Sequence, residues 1–239
     1  AQTIRMRLLP PLSAGHWLGT DQLGRDILSR IVFGARVSMK IGALAVALAS
    51  FVGVTLGLLA GYFGKRADDI ISWLVNVQLS VPFILLAISV VAVLGPSETN
   101  LVIVLALGSW ASYARVIRSK TLSLRNREHI EAARALGSRT GRILVLHLLP
   151  NMLSAIVVLS SFEFAKTVIA EAALSFLGLA PSSPRYSSWG IMLAEGKDYL
   201  AAGWWVATVP GLTIMLLVLA TNVVGDWSRA GFNPGGTRQ

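Results

Sequence analysis

The chain is 239 residues long, 54% hydrophobic and only 14% charged, with a mean hydropathy of +0.65, no cysteine and a formal net charge of +9. Such apolarity excludes an ordinary water-soluble domain and a disordered segment, and the lack of cysteine excludes a disulfide framework and thiolate metal sites. Nor does the positive charge point to nucleic acid, because Trp and Tyr sit at the ends of apolar stretches rather than among the basic residues.

Residues 1–40 lead in with Arg25, Arg30, Arg36 and Lys40 set against Asp21 and Asp26. The uncharged stretch 41–64 that follows is long enough for a spanning helix, which needs about 20 mostly apolar residues. Within it Ala45, Ala49, Gly53, Gly57 and Gly61 recur every four positions. Such a ridge lets another helix approach closely, either inside this chain or from a second subunit. A second span covers about 70–95 despite Asn76, Gln78 and Pro82, and a third about 99–120, where Arg115, Arg118 and Lys120 can snorkel to the interface.

Between residues 121 and 150 the chain turns polar. From Arg115 to Arg142 there are eight Arg or Lys residues against two acids, Glu128 and Glu131. Residues 127–137 are rich in strong helix formers, and Gly137 is placed to end that helix. A second short helical stretch, 141–149, then runs into Pro150. Two short helices hinged at Gly137 and Ser138 make a stiff protruding element. Ala132 and Ala133 permit close contact there, and Glu131 offers a charge to a partner.

The fourth span, about 151–179, is interrupted by Glu163, Lys166 and Glu171. Ionisable groups in a membrane are costly and face a cavity, a bundle interior or each other. Glu163 and Lys166 lie at i, i+3 and either pair with each other or line a solute path. Glu171 sits nearer the far surface and suits an interface or a gate. A fifth span covers about 200–225, and residues 226–239 form a tail. Pro82 and Pro210 each remove a backbone donor and should kink their helices, bordering a path or serving simple packing. Three dispersed histidines (His16, His129, His147) with no carboxylate cluster give no metal site, and no cofactor is expected.

Lys and Arg concentrate in cytoplasmic loops, which puts the basic loop 121–150 and the tail inside. Three spans before the loop then leave residues 1–40 outside, against the direction of their own positive charge. A sixth, preceding span is expected in the complete protein. The fold class is therefore all-α: a polytopic membrane helical bundle with five spans here.

Glu131-Ala132-Ala133, Gly137 four residues further on and Leu149-Pro150 beyond it together resemble the EAA loop of ABC importer permeases. Gly19-Thr20-Asp21-Gln22-Leu23-Gly24-Arg25-Asp26, Glu171-Ala172-Ala173-Leu174-Ser175-Phe176-Leu177-Gly178-Leu179, Ser188-Trp189-Gly190-Ile191-Met192-Leu193 and Asn222-Val223-Val224-Gly225-Asp226 are similar to the dipeptide, oligopeptide and nickel branch, specifically its C-type permease. Two departures stand out: His147 replaces the general pattern's Ile, and Phe232-Asn233-Pro234 replaces an acidic-Pro ending.

The resemblance implies an inner-membrane permease subunit of a bacterial importer, moving peptides inward by alternating access. It assigns Glu131, Ala132, Ala133, Gly137, Leu149 and Pro150 to coupling with a separate ATPase, and leaves Glu163, Lys166, Glu171, Pro82 and Pro210 as path or gate candidates. The implied partners are a homologous second permease, two ATP-binding subunits carrying ATP and Mg, and an extracytoplasmic solute-binding protein, all at a lipid membrane. This chain has no G-x-x-x-x-G-K-[ST] motif, so it is not expected to be an enzyme. The rival reading, a self-contained secondary transporter or channel, would call for an inverted repeat, which the two halves do not display.

Overall fold

A computed structural model describes residues 6–13, 15–181 and 187–232. In order, the helices are α1 (Ile27–Phe63), α2 (Lys65–Ser80), α3 (Phe83–Leu94), α4 (Glu98–Leu124), α5 (Glu128–Ala135), α6 (Thr140–Arg142), α7 (Leu153–Phe176), α8 (Trp189–Gly196) and α9 (Trp205–Phe232). The fold is all-α, with only two isolated β-bridges among the described residues, both before α1. Four helical stretches are long and apolar enough to cross a membrane: Ile27–Phe63, Glu98–Leu124, Thr140–Phe176 and Trp205–Arg229. The pair α2 and α3, bent by 89° at their junction, makes a fifth crossing when counted as one span.

The helices depart from the sequence expectations in five places. α1 begins at residue 27, not 41, because Asp26 caps it: Asp26 Oδ2 accepts from the Ser29 amide at 2.7 Å. The second span is broken rather than merely kinked. Pro82 drives Val81 out of helical geometry (φ −90°, ψ 122°), as expected for the residue before a proline. α9 by contrast runs unbroken through Pro210 and on to residue 232, so the first half of the expected tail is helical. The stretch 141–149 is no separate short helix either. α6 passes through a π-helical turn (Ile143–Leu148) and a 3₁₀ turn (Pro150–Met152) directly into α7. Leu149 N bonds to Leu144 O at 2.9 Å, and the widened turn absorbs Pro150, which has no N–H to give. Finally, the short helix α8 lies in a stretch for which no element was expected.

By contacts the chain divides into two compact units. The first comprises Ala1–Leu44, Leu86–Leu105 and Phe164–Ala220; the second comprises Ala45–Leu85, Ala106–Glu163 and Thr221–Gln239. The first is centred on Ile27, Val168, Trp189, Met192, Trp205 and Val206. The second is centred on Leu58, Ile117, Ile130, Ile143, Leu148 and Met152.

In the second unit the small-residue ridge packs against α4 of the same chain. A Cβ at Gly53 would fall 2.3 Å from the Trp110 carbonyl oxygen, one at Gly57 2.6 Å from that of Ala114, and one at Gly61 2.5 Å from Thr121 Cβ. No side chain fits at those separations, so glycine at these three positions sets how closely α1 and α4 approach.

Candidate functional site

The loop carrying Glu131, Ala132, Ala133 and Gly137 belongs to the second unit. α5 presents Glu131 and Ala132 to solvent while burying Ala133 and, completely, Ile130. Full burial of an isoleucine stabilises by roughly 2 kcal/mol. Its neighbours in the cluster (Leu58 of α1, Ile117 of α4, and Leu148 and Met152 in the π and 3₁₀ turns that lead into α7) tie the short helix to α1, α4 and the entry of α7.

Gly137 ends α5 at φ +79°, with its own amide on Arg134 O and the Ser138 amide on Ala133 O, both at 3.0 Å. This pair of bonds is the Schellman arrangement, and it needs a residue comfortable in the left-handed region. A Cβ on Gly137 would meet nothing within 4 Å, so conformation rather than crowding selects glycine here. Leu136, just before it, is 87% exposed, an apolar side chain held out into solvent. Leu149 is half-buried against the Ile130 cluster and Pro150 is exposed.

Three basic residues in and beside the loop tie the helices of this unit together. Arg118 grips Asp68 of α2 through two bonds, one from Nε and one from Nη2 to Oδ2 at 2.6 Å. Arg125 Nη1 donates to Gly61 O at 2.8 Å, satisfying a carbonyl in the last turn of α1 where a cation also suits the helix dipole. The Arg134 guanidinium lies 5.6 Å from the Tyr62 ring centre. The Asn151 side-chain amide donates to His147 O at 2.6 Å beside the π turn.

The first unit contains a second polar constellation. Asp21, wholly buried, accepts from the amides of Leu23 (2.8 Å) and Arg25 (2.9 Å), from Arg25 Nε (2.5 Å) and from Arg30 Nη1 (2.8 Å). Both arginines also reach Glu195 Oε2 on α8 at 2.7 Å. Two guanidinium groups and two carboxylates thus cancel. Lys40 pairs with Glu98 at 2.7 Å. His16 Nδ1 meets Asp26 Oδ1 at 2.9 Å. Burial pushes the Asp26 carboxyl up, but the Ser29 amide and His16 outweigh it, and its pKa lies below the ordinary aspartate range.

Of the path candidates, Glu171 is wholly buried and accepts from Ser38 Oγ (3.1 Å) and Ser175 Oγ (2.7 Å). Ser188 Oγ, which caps α8 by accepting from the Ile191 amide, donates to Ser175 Oγ at 3.3 Å. Glu171 therefore sits at the junction of α1, α7 and α8. Glu163 is buried while Lys166 is exposed, so the two ends of that i, i+3 pair occupy different surroundings. Pro82 is exposed at the break between α2 and α3, beside Val81, Ile84 and Leu85, also exposed. Pro210 is buried inside α9. Sequence reasoning missed Ile130, Arg125 and Glu195. Ile130 directly precedes the Glu-Ala-Ala triplet, and its apolar character on a polar helix was the available signal.

A model of the family described as binding-protein-dependent transport system inner membrane component matches residues 53–236. The chain is 44% identical to the dipeptide transport system permease protein DppC of Alkalihalophilus pseudofirmus, over 98% of this chain and 77% of the relative. It is 42% identical to the di/tripeptide transport system permease protein DppC of Pseudomonas aeruginosa (91% and 71% covered) and 43% identical to the glutathione transport system permease protein GsiD of Pectobacterium atrosepticum (93% and 73% covered). Its fold is similar to that of a solved inward-facing MetNI methionine ABC transporter. That match has a TM-score of 0.69 and 20% identity, covering 85% of this chain and 97% of the other.

Proposed function

The chain belongs to the family of binding-protein-dependent transport system inner membrane components, and from that membership we propose that it is the permease half of a peptide importer driven by separate ATP-binding subunits. It is an inner-membrane permease subunit of an ABC importer. Peptides as the solute follow from the names of its relatives, several of which are dipeptide or di/tripeptide permeases. A second, homologous permease, two ATPases holding ATP and Mg, and an extracytoplasmic solute-binding protein complete the assembly.

The observation that carries the reading is the division of labour on α5. One face (Ile130, Ala133) is locked into the chain's core, while the other (Glu131, Ala132, Leu136) is left to solvent. A rigid-body motion of a partner ATPase needs a stiff element with a free docking face and a fixed root. α5, with Gly137 setting its exit, has both. Glu131, Ala132 and Leu136 would enter the ATPase groove. Ala133, Leu149 and Pro150 would hold the element's shape.

The ion pairs support the assignment of residues 1–40 to the exterior. Arg25 and Arg30 are neutralised by Asp21 and Glu195, and Lys40 by Glu98, so three of the segment's basic side chains are offset by acids. The loop 121–150 and the residues after 225 would then be cytoplasmic. The break at Val81–Pro82 supports a path-lining role for Pro82, because non-helical backbone at membrane depth is tolerated only against protein or a water-filled cavity. Burial favours structural roles for Glu163, Glu171 and Pro210, whereas the exposed position of Lys166 favours a place beside the path or the second permease.

Glu131→Lys and Gly137→Val test the reading in cells expressing the full set of subunits. Dipeptide uptake and solute-stimulated ATP hydrolysis are expected to collapse while the subunit still reaches normal abundance in the membrane. Normal uptake in both variants, with ATPases attached, would overturn the coupling assignment.

A further inference from the structure

Within the second unit a cavity of about 470 Å³ opens among Val116 and Lys120 of α4, Ser154, Ala155, Val158, Leu159 and Phe162 of α7, and Arg229 of α9. Its composition is divided. Val116, Ala155, Val158, Leu159 and Phe162 make an apolar slot. Lys120, Ser154 and Arg229 bring five guanidinium N–H donors, an ammonium and a hydroxyl to the same space. No carboxylate lines it, although Asp226 lies one turn before Arg229. Arg229 is steadied by the Phe162 ring, 5.9 Å from its guanidinium carbon. Trp227, two residues earlier on α9, is 79% exposed, as befits an aromatic side chain at the level of lipid headgroups.

We infer that this cavity holds one anionic phospholipid, its phosphate between Lys120 and Arg229 and the upper part of an acyl chain in the slot between α4 and α7. A phosphodiester offers acceptor oxygens to both cations and to the Ser154 hydroxyl, while the chain covers apolar walls that water would wet poorly. Basic pockets between membrane helices at the cytoplasmic side are suited to acidic headgroups. Lys120 and Arg229 both lie near the helix ends that adjoin the basic loop and the C-terminal residues. The leaflet named here rests on the topology proposed above; the binding chemistry does not. A small carboxylate would fit the cations but leave the slot empty, and a wholly apolar helix of a partner subunit would fit the slot but leave the cations without charge complements.

The test needs no transport. The full-length subunit, purified in its native complex in mild detergent, is compared by native mass spectrometry with the Lys120→Gln/Arg229→Gln double variant and with Arg139→Gln as a surface control. Wild type and control are expected to retain phosphatidylglycerol over phosphatidylcholine by roughly 25-fold, at about fivefold per cation. The double variant should fall to near parity. Equal retention in the double variant, or release of the lipid by excess inorganic phosphate, would overturn the proposal. Should the double variant fail to assemble, the unmodified complex still decides. In phosphatidylcholine vesicles doped with phosphatidylglycerol carrying a diazirine on its acyl chain, photolabel is expected on residues 154–162, and label confined to other faces would refute the site.

Discussion

Ser38 of α1 donates to Glu171 of α7 at 3.1 Å, joining residues 133 apart in sequence through a carboxylate that solvent does not reach. Ser175 donates to the same carboxylate and the Ser38 hydroxyl also lies 3.4 Å from the Trp189 amide, so one acid organises α1, α7 and the start of α8. Glu171→Leu strands two buried hydroxyls and is expected to destabilise the purified subunit by roughly 2–4 kcal/mol. Glu171→Gln keeps an acceptor and should lose less than half as much. Thermal unfolding in detergent measures both, and equal loss from the two changes would show that charge, not hydrogen bonding, is what matters there.

Gly137 offers a cleaner separation of shape from sterics. Its φ of +79° is costly for any residue with a Cβ, by roughly 1–2 kcal/mol, yet no neighbour stands in the way. Gly137→Asn should therefore retain most uptake, because asparagine tolerates the left-handed region, whereas Gly137→Val should lose nearly all of it. Uptake by the two variants at matched membrane abundance is the measurement. If asparagine proves as damaging as valine, backbone conformation is not what the position is selected for.

Asp68 and Arg118 form a two-bonded pair that is partly open to solvent. Breaking it by Arg118→Ala should cost roughly 0.5–1 kcal/mol, the scale of a partly exposed pair. Exchanging the residues, Asp68→Arg with Arg118→Asp, should recover part of the loss. A double-mutant cycle on thermal stability reads the coupling directly, and zero coupling would mean that Arg118 acts through packing alone.

Asp26 both caps α1 and titrates. Its folded pKa is depressed, so the stability it contributes is fully present above the ordinary aspartate value near ~4 and is lost as pH falls through the lower folded value. Asp26→Asn keeps a cap acceptor but removes the titration, so it should lose the carboxylate's contribution at neutral pH and flatten the decline of stability below about pH 4. Asp26→Ala loses the cap as well and should cost about 1 kcal/mol at neutral pH, with the cost shrinking as pH falls and the wild-type carboxyl protonates. An unchanged acid limb in Asp26→Asn would mean that the depressed carboxylate contributes nothing.

Single cysteines at Ser13 and Ser138 test the proposed sidedness. Membrane-impermeant maleimide on intact cells should label the first and spare the second, and the second should label only after the membrane is opened. Labelling of both from one side would overturn the arrangement.

Much of this architecture was legible because it depends on local spacing. The four-residue glycine ridge, Pro82 as a disruption and Gly137 as a helix stop are each decided by backbone sterics within a few residues. What escaped depended on partners far apart in sequence. Arg30 looked like excess exterior charge until Glu195, some 165 positions later, was found beside it. The early start of α1 was hidden because Arg30, Arg36 and Lys40 depress hydropathy, even though Asp26 was available as a cap. The π turn was invisible because Pro150 signals a disruption without saying how the preceding turn will absorb it. Ile130 shows the same limit in reverse: attention to the exposed signature passed over the residue that roots it.

The glycine ridge also has a consequence for biogenesis. Gly61 meets Thr121, so α1 cannot complete its packing until roughly 60 further residues have been made, on the order of 3–12 s at ~5–20 residues per second. During that interval Gly53, Gly57 and Gly61 face lipid or the insertion machinery with a groove that only α4 fills closely. Any defect delaying α4, including one in the broken α2–α3 segment before it, leaves α1 without its mate and open to pairing with another nascent chain. Faulty assembly of this subunit should thus begin as a timing error, and slowing translation within α2 and α3 should reproduce it without altering a single residue.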